Sequence, residues 1–231
     1  MLSDLFATPP EPAANLLPFD GIVNDYGLLF GATEADAHLV GLLAEIPWQH
    51  DTAVIYGKRI TTARQVAWYG DEAFAYHYSG TRRIALPWTA RLLELKAQVE
   101  AALAPVSPTV FNSCLLNLYA DGSQGMAWHS DDEKELGPNT VIASLSFGAT
   151  RKFAFKHKRT GEKHEMLLAH GQLIVMRGAT QTHWLHAIMK TARVHQPRVN
   201  LTFRTICHRS NITAAQSAPS TASDREAAQR K

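Results

Sequence analysis

The sequence predicts a mainly β fold with flanking helices (α+β), a β-sandwich or jelly roll buttressed on one side. Three observations predict it. The second half of the chain is a succession of short runs rich in Val, Ile, Phe and Thr, separated by Gly, Pro, Asn and Asp. The first half carries two helix-like segments, each ending before a proline. Hydrophobic residues make up 45% of 231, enough for one packed core, and charged residues an ordinary 19%.

The elements follow in order. Residues 1–15 hold Pro9, Pro10 and Pro12 and read as a flexible N-terminal arm. Thr33–Ile46 is a helix opening on Thr33, with Glu34 and Asp36 in the first turn, where the helix dipole favours acids. It stops before Pro47. Thr89–Ala104 is a second helix, with Leu92, Leu93, Leu95 and Leu103 along it and Pro105 beyond its end. Strand-like runs then follow at Asn112–Tyr119, Val141–Phe147, Lys152–His157, Glu165–Leu168, Leu173–Met176 and Val199–Ile206. Lys152 to Lys156 alternates polar and apolar, as a half-buried strand does. Residues 209–231 are rich in Ala, Ser, Thr and Gln without an apolar period and read as a disordered tail. One domain, 16–208, lies between the two ends.

Charge and composition narrow the function classes. The net charge is +2, from 23 basic against 21 acidic residues, too small to argue for nucleic acid unless the positive charge is concentrated locally. Cys114 and Cys207 form no CxxC and read as free thiols in a reducing cytoplasm. The first residues lack a positive stretch and include Asp4, which argues against a signal peptide. No apolar run reaches the ~20 residues that span a bilayer. A cytoplasmic protein is expected, nucleoid-associated if bacterial, with no membrane partner.

The chemistry-bearing residues cluster late. His129-Ser130-Asp131 places an imidazole and a carboxylate on one face of an extended strand. A divalent metal of intermediate softness accepts that pair. A third ligand is needed, and His183 and His186 are both candidates. Two histidines and a carboxylate on one side of a metal leave open positions opposite, the arrangement of non-haem iron(II) oxygenases. Further on, Arg198, Asn200, Thr202 and Arg204 share one strand face, while Val199, Leu201 and Phe203 take the other. Two arginines facing a sheet interior need anions, and a dicarboxylate would satisfy both. Their Cα atoms are about 20 Å apart along an extended strand, a gap that long side chains can close.

Together these motifs resemble the AlkB family of Fe(II)/2-oxoglutarate-dependent dioxygenases. Asn117-x-Tyr119, His129-x-Asp131, His186 and the pair Arg198 and Arg204 stand in that family's order. Ile142–Gly148 and Pro197–Arg204 look like its core strands. The resemblance runs over roughly residues 50–207 and is strongest from Phe111 to Arg204. It implies a double-stranded β-helix, with a nucleotide-recognition region at about 50–88 and a catalytic jelly roll at about 108–207. It implies that His129, Asp131 and His186 bind iron(II), the twelve-residue step to Arg198 selecting His186 over His183. Asn117, Tyr119, Arg198, Asn200 and Arg204 would hold 2-oxoglutarate, with O2 as the second cosubstrate.

The implied reaction is oxidative demethylation of bases such as 1-methyladenine and 3-methylcytosine in DNA. Decarboxylation of 2-oxoglutarate to succinate is coupled to hydroxylation of the N-methyl group, which leaves as formaldehyde. A target base must be flipped or single-stranded to reach the metal. By resemblance Tyr76 and Tyr78, on one strand face, would stack on it. Asp132 would favour a cationic methylated base. Val54–Arg59 resembles the hairpin that duplex-active members push into the base stack, with Tyr56 as the wedge. Arg64, Lys58, Arg59, Arg82 and Arg83 are candidates for one phosphate track. Lys152, Lys156, Lys158, Arg159 and Lys163 are candidates for another. A monomer acting on methylated DNA is the expectation. The competing readings are the same dioxygenase acting on RNA, protein or a small molecule, a non-catalytic reader, and a zinc hydrolase. The paired arginines argue against the last two.

Overall fold

A computed structural model describes residues 10–55, 58–73, 75–78 and 81–207. Its elements in chain order are β1 (Ile22–Leu28), α1 (Ala32–Glu45), β2 (Gln49–Ile55), β3 (Lys58–Gly70), β4 (Ala75–Tyr78), β5 (Thr81–Ile84) and α2 (Ala90–Leu103). They continue as β6 (Ser113–Tyr119), β7 (Met126–His129), a 3-10 turn at Lys134–Leu136, β8 (Ile142–Gly148), β9 (Arg151–His157) and β10 (Lys163–Leu168). The last are β11 (Gln172–Arg177), the single helical turn α3 (Thr180–His183), β12 (Trp184–Ile188) and β13 (Arg198–Arg204).

The strands form a seven-stranded sheet in the order β1-β11-β8-β13-β6-β3-β2 and a four-stranded sheet in the order β10-β9-β12-β7. Every pair within them is antiparallel. This matches the jelly-roll expectation. The period-two alternation along each central strand builds two separate interiors. Val199, Leu201 and Phe203 of β13, with Ala143, Leu145 and Phe147 of β8, meet Leu42 of α1 and Leu92, Leu95 and Val99 of α2. Ile142 and the alternate β11 residues Ile174 and Met176 turn the other way, against Phe153, Phe155, Trp184 and Ile188 of the smaller sheet. The helices therefore buttress the larger sheet from outside, and the polar face of β13 points between the sheets.

Helix α2 begins where its cap dictates, with Thr89 Oγ1 accepting from the Leu92 amide. Helix α1 differs from expectation. Its cap is Gly31, which has no side chain to bond, and Thr33 lies inside the first turn. Arg91 of α2 reaches Glu45 of α1 with Nε and Nη2, the latter at 2.8 Å, and joins the helices.

Two further differences bear on the site. Residues 10–15 are not loose in the structure. Asn15 Oδ1 accepts from the Leu17 and Val23 amides, and Asn24 Nδ2 donates to the Ala14 carbonyl. Strands β4 and β5 pair only with each other, as a two-stranded sheet. The excursion that carries them is pinned at its base: the Gly70 amide donates to the Leu86 carbonyl at 3.0 Å and the Leu86 amide to the Trp68 carbonyl at 2.8 Å. The tail expected at 209–231 lies outside the described residues. No helix among them is long and apolar enough to cross a membrane.

Candidate active site

Between the sheets lies a pocket of about 560 Å³, its open mouth included. Its polar wall comes from the larger sheet: Asn117 and Tyr119 of β6, Ser144 of β8, and Arg198, Asn200, Thr202 and Arg204 of β13. Its opposite wall is apolar, from Met126, Phe153 and Ile188 of the smaller sheet, and Met176 of β11 adds an apolar edge on the larger sheet. His129, Asp131 and His186 stand at the junction.

Strand pairing brings the two histidines together. His129 ends β7 and is the register partner of His186 on β12. Their ring centroids are 4.2 Å apart. His129 Nε2 is 3.8 Å from Asp131 Oδ1, and one ligand atom from each of the three residues lies within 4.8 Å of the others. The His129 Nδ1 proton has a carbonyl acceptor, Ala127 O at 2.8 Å, which leaves Nε2 for a metal. Burial pushes His186 down to about 3, so its imidazole is neutral and able to ligate. Burial pushes the Asp131 carboxyl upward, but the charged Arg204 guanidinium leads the interactions that outweigh it and hold the group below the usual carboxylate range. Arg204 Nη2 donates to Asp131 Oδ2 at 2.7 Å. The Asp131 amide donates to Gln181 Oε1 at 2.9 Å. One carboxylate oxygen is thus held by Arg204 while the other faces His129. This donor set, two imidazoles and one oriented carboxylate, fits iron(II).

The even face of β13 is as the alternation predicts, with all four polar residues lining the pocket. Arg198 is 1% exposed. Its Nη2 donates to Ser146 Oγ and to Asn200 Oδ1, each at 2.8 Å. Its Nε and Nη1 are buried without a hydrogen-bond partner. A guanidinium half satisfied at a pocket wall fits an incoming carboxylate. Burial holds its pKa down at about 10, so it stays charged at neutral pH. Asn200 also accepts from Ser144 and Ser146 and donates to Thr202, so it braces Arg198.

Other expected positions differ. Arg64 is no surface phosphate contact. It is 8% exposed, its Nη2 pairs with Asp51 Oδ2 at 3.0 Å, and its Nε donates to Asn117 Oδ1 at 2.9 Å. Lys158 is likewise drawn inward, donating to Ser130 Oγ and to the Gln181 carbonyl. Lys152 is paired with Glu165. Asp132 is exposed beside the metal-type cluster, where its Oδ2 accepts from Ser130 Oγ. Tyr76 and Tyr78 lie on β4, and Tyr56 falls in the β2–β3 turn outside the described residues. Gln181 and the serines Ser144 and Ser146 were not anticipated. The serines alternate with Ala143, Leu145 and Phe147, a signal present in the sequence. Gln181 has no such signal.

The family model for the 2OG-Fe(II) oxygenase superfamily matches residues 26–204. The mouse DNA oxidative demethylase ALKBH2 is 39% identical over 198 residues, 81% of each chain. The chain belongs to the AlkB branch of the 2OG-Fe(II) oxygenase superfamily. The human ALKBH2 is 37% identical, over 81% of this chain and 74% of its own. The mouse alpha-ketoglutarate-dependent dioxygenase alkB homolog 3 is 39% identical, over 75% and 62%. The solved structure of OsALKBH1 superposes with a TM-score of 0.58 at 16% identity, over 82% of this chain and 99% of that one, a likeness of fold alone. Membership of this oxygenase branch implies Fe(II), 2-oxoglutarate and O2.

Proposed function

We propose that the protein is a DNA oxidative demethylase acting on alkylated bases such as 1-methyladenine and 3-methylcytosine. One observation carries the reading: a two-histidine, one-carboxylate cluster and two buried arginines of a single strand share one pocket. Relatives bearing the name DNA oxidative demethylase support the substrate. The bound iron(II), with 2-oxoglutarate and O2, supplies the oxidising power that hydroxylates the N-methyl group, giving succinate, CO2 and, on release, formaldehyde.

The residues of the chain divide the remaining work. His129, Asp131 and His186 hold the metal from one side. Arg204 fixes Asp131 and, being next to a metal ligand, takes the near carboxylate of 2-oxoglutarate. Arg198, at the other end of β13, takes the far one, with Asn117 and Tyr119 along the same wall. Met126, Phe153, Met176 and Ile188 exclude water from the reacting centre. Asp132 at the mouth favours a cationic base, and Tyr76 and Tyr78 stack on it. The protein works as a monomer in the cytoplasm, with Tyr56 and the β2–β3 turn meeting the strand.

The test is mass spectrometry of a DNA oligonucleotide bearing one methylated base, single-stranded and duplex, incubated with iron(II), ascorbate and 2-oxoglutarate. Loss of one CH2 that requires 2-oxoglutarate is expected. Succinate formation without demethylation would move the substrate to RNA, protein or a small molecule. No 2-oxoglutarate turnover by iron-loaded protein would overturn the reading.

A further inference from the structure

A second group of metal-type ligands lies outside the pocket. Asp20, His157 and His183 each present a ligand atom within 4.8 Å of the other two. Three separate elements bring them together. His157 ends β9 and is the register partner of Trp184, the residue after His183. The Lys158 amide donates to the His183 carbonyl at 2.8 Å and fixes that juncture. Asp20 comes from the turn before β1 and holds a left-handed backbone, φ 51°, uncommon for a residue with a Cβ. Its neighbour Phe19 is anchored: the Phe19 carbonyl accepts from Trp184 Nε1 at 3.0 Å, and its ring meets the His157 ring edge-on at 5.0 Å.

The His157 ring is 1% exposed, yet its Nε2 is buried without a hydrogen-bond partner. Asp20 Oδ2 lies 3.3 Å from that nitrogen, outside hydrogen-bond geometry. The His183 ring is stacked nearly parallel to it, with centroids 6.2 Å apart and planes at 24°. An ordinary histidine–aspartate pair accounts for two of these residues but not for the third. On its other side, His157 Nδ1 accepts from the Thr160 amide at 3.1 Å and lies 3.0 Å from the Thr160 hydroxyl. A metal at Nε2 moves the ring proton to Nδ1, where the Thr160 hydroxyl oxygen, 3.0 Å away, accepts it.

We propose that Asp20, His157 and His183 form a second divalent-metal site, of zinc type, distinct from the pocket cluster. Two imidazoles and one carboxylate suit zinc, with water in the fourth position, better than magnesium or calcium, which prefer oxygen donors. The bound ion joins the segment before β1 to the smaller sheet across more than a hundred residues of chain. It also steadies α3, whose Gln181 holds the Asp131 amide.

The test uses the full chain, free of any affinity tag and stripped of metal, with Zn2+ and Co2+ as probes. Equilibrium dialysis of the unsubstituted protein is expected to give two equivalents of Co2+, and one for His183→Ala. A His129→Ala/Asp131→Ala protein, lacking the pocket cluster, is expected to retain one equivalent of Zn2+ and to melt at higher temperature with it. Adding Asp20→Asn or His183→Ala to that protein should weaken Zn2+ binding by at least about 100-fold and remove the rise in Tm. Circular dichroism checks that each variant is folded. One equivalent in the unsubstituted protein, or a second equivalent that survives His183→Ala, overturns the proposal.

Discussion

Replacing Arg198 with methionine separates a side chain kept for the fold from one kept for a ligand. The guanidinium is fully buried and held at about 10 rather than 12.5, so its charged form has lost about 3 kcal/mol relative to water. Against this stand its two bonds, to Ser146 and Asn200, each worth roughly 1.5–3 kcal/mol as charge-assisted bonds. The two sides nearly cancel. Arg198→Met should therefore cost the ligand-free protein at most about 3 kcal/mol. Binding of 2-oxoglutarate should suffer far more. Losing one partner of a buried guanidinium–carboxylate pair costs about 2–5 kcal/mol, so the apparent KM should rise by at least about 30-fold. The assay pairs urea melts of the free protein with succinate formation across 2-oxoglutarate concentrations. A second readout is thermal stabilisation. In the unsubstituted protein, 2-oxoglutarate at 100 times its Kd adds about 2.7 kcal/mol, and in the variant at that concentration it should add less than about 1 kcal/mol. Destabilisation beyond about 3 kcal/mol with an unchanged KM would refute the reasoning and make Arg198 a structural pillar.

Three other outcomes are expected. Asp131→Asn keeps an acceptor for Arg204 but removes the anionic ligand, so turnover should fall below about 1% while the melting curve stays close to wild type; retained turnover by metal-cleaned variant would count against the ligand assignment. Arg151, 1% exposed, donates to the carbonyls of Asp121, Gly122, Gln124 and Met189, and Arg151→Met should cost about 2–4 kcal/mol, read as a lower urea midpoint at unchanged m-value. Hydrogen bonding from Arg91 holds the Glu45 carboxyl below its ordinary value, so the interhelical pair contributes fully above the unfolded pKa and is lost as pH falls through the lower folded one. The pair is largely exposed and worth under about 1 kcal/mol. Glu45→Gln should thus lower stability at pH 7 and leave it nearly unchanged at low pH, which urea melts at the two pH values would check.

How much of this was legible before folding depends on how local the signal is. Thr89 and Pro105 bracket α2 because capping and chain stiffness act within a few residues. The face shared by Arg198, Asn200, Thr202 and Arg204 follows from strand period alone. Strand β3 is legible only at its turn, where Val54–Arg59 resembles a hairpin; its first half, Lys58–Arg64, is polar, and its second half pairs with β6, far along the chain. Arg64 was misread for a similar reason, since the sequence does not announce that Asp51 and Asn117 will surround it. Strand geometry alone leaves His183 and His186 both open, and only the resemblance, through the twelve-residue step to Arg198, selects His186. The fold divides them: His186 pairs with His129, while the His183 side chain joins Asp20 and His157.

The pinned base of the β4–β5 excursion has a consequence for how such a scaffold diversifies. The chain leaves the framework after Gly70 and rejoins it at Leu86, where the two are bonded to each other; Asp71 and Ala85 still belong to the base, the Asp71 amide donating to the Asn112 carbonyl and Ala85 being buried with Trp68, Leu136 and Ile206. A change in length between Asp71 and Ala85 leaves the pairing of the catalytic strands as it is, whereas a single inserted residue in β13 would turn either Arg198 or Arg204 toward the helices. The frame therefore behaves as a tool handle with an exchangeable head. Grafting the corresponding excursion from a relative between Asp71 and Ala85, with both kept, is the economical route to new substrate preference, because the contacts of the handle are left in place.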